Sequence, residues 1–396
     1  MKILYLTARQ PFPVTKGDQI IAYEQIKEIS KRHEVYLATF YTNDYDILVN
    51  EMNKYCKEIY LFKDSMLKRL FAMTKTIFNF NSIQSNCYYR HRVDKKIKEI
   101  YKEIKPDIVH VQSFRMAEYF INEDINKSID LIDSYSLNML KRAEKARIIF
   151  KPLWYLEYNL LKIYEQKILQ DYKYKFIVAQ RDKEYLDDKS IMVNPNGTSL
   201  ENDIKYKKGL HNENINLIFQ GNMSYYPNVQ AVNFLIKELL PGLRESNPNI
   251  KLFIVGSNPS KEILKYRSEN IEVTGYVESM KPYLDIADIA IYPIFSATGI
   301  QNKVLEAMAS KIPCIISKEV SSGIPGLINN ENIFIANNLN EYLDYFKVIL
   351  NSKEDIKTIV SNGYNLIKEK YSWKRHTAVI ENIWINEVVK NNENDN

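Results

Sequence analysis

Short apolar runs of strand length, each followed by an amphipathic stretch of helical period, alternate along almost the whole chain. The runs fall at residues 3–6, 35–40, 59–62, 108–111, 131–133 and 176–179, and again at 215–219, 251–255, 271–274, 289–292, 314–316 and 333–336. Each has the length of a strand and is rich in Ile, Val, Tyr or Phe. Between them apolar residues recur at helical intervals, as in Ile20, Ile21, Tyr23, Ile26 and Ile29, and residues 229–239 and 304–309 read the same way. Strands that are apolar on both faces belong to parallel sheets covered by helices on both sides. Six runs on either side of the midpoint imply two such sheets. A chain of 396 residues has the length for two ordinary domains, and 45% hydrophobic against 26% charged residues excludes a disordered class.

The midpoint is residues 198–214, TSLENDIKYKKGLHNEN, which are polar and lack periodicity. They read as a linker between a first domain at 1–197 and a second at 215–372. Residues 373–389 have a helical pattern after the last strand. The segment 373–396 is expected to pack back across the first domain, with a frayed polar tail.

Charge and cysteine usage remove several function classes. Net charge is +5, from 54 basic and 49 acidic residues, with no basic cluster of the kind a nucleic-acid binder carries. Cys56, Cys87 and Cys314 are far apart and the five histidines are scattered, so neither a zinc site nor a disulfide framework is expected. That usage fits a reducing cytoplasm. Met1-Lys2 runs straight into a short apolar run, unlike a signal peptide. No stretch reaches the ~18 apolar residues of a membrane span.

Glycine is unevenly placed: Gly17 is the single glycine before residue 197, and ten follow. Gly17 marks either a place where a side chain would obstruct something or an ordinary turn. It lies in ARQPFPVTKGDQ, a loop between a strand and a helix that lacks the G-x-G-x-x-G dinucleotide fingerprint.

The most informative stretch is residues 292–313, YPIFSATGIQNKVLEAMASKIP. A strand ends, a loop follows, and a helix begins around residues 299–301, with Ser296 or Thr298 as its cap. Val304, Leu305 and Met308 form an apolar face, while Asn302, Lys303 and Glu306 fall on the other side, within a turn of the amino end. A helix amino end offers unpaired N–H groups and partial positive charge to a phosphate. Gly299 permits close approach, Lys303 adds a full charge, and Glu306 can accept two hydrogen bonds from a ribose diol. The plain alternative is a solvated helix face. Three other loops invite comparison: LIFQGNMSYYPN with Gly221 and Asn222, VNPNG at 193–197, and VTGYVESMKPY, whose Tyr276 and Val277 suit a planar base. Asp44-Tyr45-Asp46 reads as a polar loop rather than a metal motif. His110 reads equally as catalytic or as a satisfied buried histidine.

Taken together, these segments resemble the family-4 retaining glycosyltransferases of GT-B fold over nearly the full length. The fold class implied is α/β, two Rossmann-like parallel-sheet domains facing across a cleft. KILYLTARQPFPVTKGDQ, VNPNGTS and YSWKRH are similar to that family's first strand and glycine loop, its domain-boundary motif and its carboxy-terminal helix. GNMSYYPNVQAVNFL, FIVGSNP and above all GIQNKVLEAMA resemble the sugar transferases of PEP-CTERM/exosortase-type exopolysaccharide loci. The resemblance implies that Glu306, as the second Glu of a Glu-x7-Glu motif, holds the donor ribose. Thr298 stands at the first Glu position and also where the subgroup commonly has Arg. Asn222 and Pro227 stand where the wider family has Arg and Lys. Diphosphate contact then falls to Lys303, to backbone N–H groups of Gly299, Ile300, Gln301 and Asn302, and to Gly17. Asp133 and Ser136 match subgroup positions on the acceptor side, and Gln112 stands where many members have histidine.

The resemblance implies transfer of a sugar, with retention, from a UDP- or GDP-sugar to a glycan or lipid-linked glycan, in polysaccharide biosynthesis. The leaving phosphate takes the acceptor proton, Lys303 and the helix end stabilise the leaving charge, and no cofactor or metal is called for. Closure of the domains is expected to exclude water. Residues 66–80, with Lys68, Arg69 and Lys75, and residues 142–163, with Trp154, mix basic and apolar side chains. They either rest on an anionic membrane face and meet a lipid-linked glycan, or pack internally or line the cleft. Thr298 and Asn222 keep open a non-catalytic nucleotide-sugar-binding partner of another transferase, and a GT-B sugar-nucleotide epimerase is the other alternative.

Overall fold

The computed structural model describes residues 1–65, 69, 73, 76, 81–200, 214–296 and 300–394. Most of the expected linker and of the basic segment 66–80, including Lys68 and Lys75, lies outside the described residues, as do Thr298 and Gly299. The chain divides into two compact units, Met1–Asn196 with His376–Asn396, and Gly197–Arg375.

The first unit is a seven-stranded parallel sheet in the order β3-β2-β1-β4-β5-β6-β7. Its strands are β1 (Lys2–Thr7), β2 (Glu34–Tyr41), β3 (Glu58–Lys63), β4 (Ile108–Gln112), β5 (Lys127–Asp130), β6 (Tyr174–Ile177) and β7 (Ile191–Val193). Side chains alternate between the two faces of a strand. Leu4, Leu6, Tyr36 and Ala38 join one core, with Leu161 and Ile168 of the helix Lys151–Asp171. Ile3, Tyr5, Val35 and Leu37 join the other, with Ile26 of the helix Gly17–Ile29 and Ile380 and Trp384 of the helix Trp373–Asn394. Trp384 is fully buried, and its indole N–H donates to Ser128 Oγ at 2.9 Å. A side chain of that class contributes about 3–5 kcal/mol when judged by truncation. His376 fixes the same segment by polar bonds. Its Nδ1 lies 2.9 Å from Pro195 O and its Nε2 lies 2.8 Å from Gln25 Nε2. A carbonyl only accepts, so Nδ1 carries the proton and Nε2 accepts from Gln25. Burial lowers the pKa of His376 to about 4, consistent with a neutral ring.

The second unit is a six-stranded parallel sheet in the order β10-β9-β8-β11-β12-β13. Its strands are β8 (Ile215–Gln220), β9 (Ile250–Val255), β10 (Ile271–Val273), β11 (Ile289–Tyr292), β12 (Cys314–Ser317) and β13 (Phe334–Ala336). Phe219, Ile254, Ile291, Ile316 and Phe334 are among the residues of its core. In each sheet the strand order reverses beside the first strand of the unit, between β1 and β4 and between β8 and β11. Ligands of open α/β sheets bind at such switch points, beyond the carboxyl ends of the strands.

Several expectations need correction. Residues 131–133 are not a strand: β5 is the preceding Lys127–Asp130, and Ile132 turns the chain with a φ of 68°. Two charged residues disguised β5, and both are paired inside. The Lys127 ammonium donates to Phe120 O and Glu123 O, and Asp130 accepts from Gln25 Nε2 and Ile132 N. A seventh strand, β7, was not anticipated. The stretch 229–239 is the helix Tyr226–Phe234 followed by a π-turn at Leu235–Leu239. Asp44 and Asp46 are not a simple loop, because they open the helix Tyr45–Met52. His110 is a core residue: its ring is fully buried against Tyr5 and Trp384, Nδ1 lies 2.9 Å from Ser128 Oγ, and burial pushes its pKa down to about 3.

Gly197 is set by a close approach. A Cβ there would fall 2.4 Å from Trp373 N, so glycine is needed for the close approach of the chain to Trp373.

Candidate functional site

The carboxyl end of β8 runs into Gln220-Gly221-Asn222, and the helix that follows β11 begins at Asn302. These two features meet at the switch point of the second unit. The helix spans Asn302–Ala309, and its cap residue is Gln301, not Ser296. Ser296 instead donates to Gln230 Oε1 at 3.5 Å. Val304, Leu305 and Met308 bury the expected apolar face. That burial turns Lys303 and Glu306, one turn apart, toward the end of β8.

Lys303 Nζ donates to Asn228 Oδ1 at 2.6 Å and lies 5.2 Å from the centre of the Phe219 ring. Asn228 is itself fixed, since its Nδ2 donates to Asn222 O at 2.8 Å. The ammonium is therefore aimed at the loop after β8. A Cβ on Gly221 would come within 3.0 Å of Lys303 Nζ and 2.7 Å of Asn228 Nδ2, so glycine here leaves the cation its place. Burial lowers the pKa of Lys303 to about 8, against an opposing pull from Glu306.

Glu306 accepts from Gln220 Nε2 at 2.7 Å. Burial raises its pKa, while the Gln220 bond and the Lys303 charge act the other way. Gln220 is buried, and its Oε1 has no hydrogen-bond partner among the described residues. A buried orphan acceptor is costly and points to a donor group of a ligand or water. Gln220, Asn228 and Gly256 escaped the reading of the sequence. Gly256, at the end of β9, packs so closely that a Cβ would lie 1.9 Å from Gly221 O.

The other expected donor residues are spread more widely. Asn302 is exposed, Gln301 half-buried, and Ile300 packs partly on the core. Val277 does the same, whereas Tyr276 is 74% exposed at the end of the sheet. A ring that free is available to stack on a base.

In the first unit, Gly17 is the first residue of its helix, and a Cβ there would meet no atom of another described segment within 4 Å. The obstruction foreseen for a side chain at Gly17 is therefore not with the described protein. Gln112, the last residue of β4, accepts from Thr7 Oγ1 at 2.8 Å and donates to Asp18 O at 2.9 Å, tying this helix end to the sheet. A cavity of about 250 Å³ opens beside it, lined by Arg9, Lys16, Gln19, Thr42, Asp64 and Arg69 among others.

Asp133 is half-buried just beyond β5, with its pKa raised by burial first and by Asp182 next. Ser136, matched to the acceptor side by the resemblance, has its hydroxyl turned inward. It is fully buried, and its hydroxyl donates to Glu165, whose carboxylate also accepts from the N–H groups of Tyr135 at 2.7 Å and Ser136 at 3.2 Å. Glu165 and the cap residue Ser134, whose hydroxyl accepts from Leu137 N at 3.2 Å, thus satisfy the amino end of the helix Tyr135–Lys145, and Ser136 holds the Glu165 carboxylate in place.

Comparison with known proteins bears on the fold and on the second unit. Residues 214–351 match the family model described as glycosyl transferases group 1. Over 392 residues the chain is 24% identical to an uncharacterized 44.6 kDa protein in the cps region of Klebsiella pneumoniae, covering 94% of this chain and 97% of that one. Among solved structures, Anabaena HepE in complex with UDP-glucose superposes with a TM-score of 0.60 at 12% identity, over 97% of this chain and 99% of that one. Sucrose-phosphate synthase from Thermosynechococcus elongatus superposes with a TM-score of 0.60 at 13% identity, over 98% and 99%. The chain has the GT-B fold, and its second unit carries a segment that matches glycosyl transferases group 1.

Proposed function

We propose that this chain is a retaining glycosyltransferase that moves a sugar from a nucleoside-diphosphate donor to a glycan or lipid-linked glycan acceptor in surface-polysaccharide assembly. One observation carries the reading: a half-buried Lys303 ammonium and a half-buried Glu306 carboxylate, one helical turn apart, converge with Gln220 and Gly221 at the switch point of the second unit. The cation and the helix end suit a diphosphate, and the carboxylate suits the ribose diol. The relatives support the class of chemistry, since HepE was crystallised with UDP-glucose and the Klebsiella protein lies in a cps region. The subgroup of PEP-CTERM/exosortase-associated transferases and a cytoplasmic location are part of the same proposal.

In this scheme the acceptor hydroxyl attacks the anomeric carbon on the face the diphosphate leaves, and the leaving phosphate takes the hydroxyl proton. Lys303 holds the charge that grows on the diphosphate. Asp133 is assigned to acceptor positioning and Gly17 to diphosphate contact. No step needs a metal.

The donor half of the proposal is tested by thermal shift with UDP-, GDP- and ADP-sugars. A ligand that binds the native state raises its melting temperature by mass action. Wild type should respond to one base class. Glu306→Ala should bind that donor about ten- to hundredfold more weakly, through loss of hydrogen bonds to a charged group. Identical shifts in both proteins would remove Glu306 from the site. Tight binding without transfer across a donor panel would instead favour a non-catalytic partner, and sugar isomers formed without acceptor would favour an epimerase.

A further inference from the structure

The first unit leaves one surface apolar to an extent that its own folding does not require. The turn Ile148–Phe150 and the helix Lys151–Asp171 behind it place seven large apolar side chains in solvent, Tyr155 among them. Ile148 is 86% exposed, Ile149 80%, Phe150 51%, Leu153 48%, Leu156 53% and Ile163 69%. Leu156 and Ile163 share an outward face of the helix and Leu153 is exposed near its amino end, whereas Leu161, Tyr164 and Ile168 face the core. Single exposed apolar residues need no explanation, but a contiguous patch marks an interaction surface.

The surrounding charge indicates the partner. Arg142, Arg147 and Lys162 are exposed around the patch, and Lys151 is half-buried. Of the two acids in this stretch, Glu144 is exposed and Glu157 is turned inward, accepting from the N–H groups of Ile83 at 2.8 Å and Gln84 at 3.2 Å. Protein-binding hot spots favour Trp, Tyr and Arg in well-packed pockets. Here the most exposed residues are aliphatic and sit on a bare turn, which suits a deformable apolar phase. Basic side chains beside such a turn meet anionic headgroups while the aliphatic ones enter the acyl boundary.

We propose that residues 148–163 are a membrane-docking wedge for an anionic lipid surface, with Ile148 and Ile149 as its leading anchors. The proposal goes beyond the donor site and does not depend on it.

The experiment uses the full chain with vesicles of phosphatidylcholine alone or mixed with phosphatidylglycerol. Trp154 reports on insertion: the Arg142 guanidinium stacks on its half-buried ring at 4.0 Å, while Trp373 and Trp384 are buried. Wild type should sediment with the mixed vesicles and far less with the neutral ones, and its emission should shift to the blue. Ile148→Asp/Ile149→Asp should weaken this binding by about tenfold or more, with melting temperature and donor-induced thermal shift unchanged. Arg142→Glu/Arg147→Glu should weaken it and flatten its salt dependence. Equal binding by wild type and the Ile variant, or no binding of wild type to mixed vesicles, overturns the proposal. So does a wild-type dimer in sedimentation that the Ile variant abolishes while vesicle binding persists, because the patch would then cover a second copy of this chain.

Discussion

Replacing Lys303 with alanine should lower turnover of a nucleoside-diphosphate sugar by about 10²–10³-fold, the usual cost of removing one preorganised charge-stabilising donor. The loss should fall mainly on kcat, because the charge on the leaving diphosphate grows in the transition state. Asn222 and Pro227 are uncharged, so neither can supply the charge of the deleted ammonium. The same residue sets a pH dependence. In the free protein burial holds the Lys303 pKa at about 8, and a bound diphosphate raises it. Below pH 8 the ammonium is already charged and affinity should be flat. Above it binding takes up a proton, so affinity falls by up to about tenfold per pH unit until the pKa of the complex is reached. Titration calorimetry with UDP at several pH values checks this, and Lys303→Ala should lose the dependence. A variant with wild-type turnover would exclude Lys303 from the chemistry.

Gly256→Ala should be the most damaging single-methyl change in the second unit. Its φ of 143° is unfavourable for a side chain, and the new Cβ would sit 1.9 Å from Gly221 O and 2.8 Å from Gly221 C. Both are backbone atoms and cannot rotate away. Gly221 N also donates to Val255 O at 2.9 Å, so the ends of β8 and β9 must part to admit the methyl. Strain and overpacking together should cost about 3 kcal/mol, read from urea unfolding, and UDP affinity should fall at least about tenfold. Gly17→Ala is the contrast. A Cβ there meets no atom of another described segment within 4 Å, so stability should change by less than about 1 kcal/mol. A loss of transfer in that variant would place a ligand beside Gly17.

The strands were legible wherever a run is apolar on both faces, as in β1, β2, β8 and β9. β5 was misplaced because Lys127 and Asp130 are polar in sequence yet buried against partners from distant segments. Local pattern carries no record of those partners. The helix at Asn302–Ala309 was legible because Lys303 and Glu306 lie three positions apart, opposite the Val304, Leu305 and Met308 face. Gln220, Asn228 and Gly256 were not, since their roles come from strand ends that meet only in the folded sheet. The resemblance sets Ser136 on the acceptor side because it matches a subgroup position. Its hydroxyl bonds to Glu165, 29 residues away, whose carboxylate takes the first N–H groups of the helix.

A crystal of the chain soaked with the UDP- or GDP-sugar that gives the larger thermal shift tests the central claim most directly. Diphosphate density should lie within hydrogen-bonding distance of Lys303 Nζ at the amino end of Asn302–Ala309, with the ribose hydroxyls on Glu306 beside Gln220. Density bound elsewhere, with that helix end empty, would contradict the account.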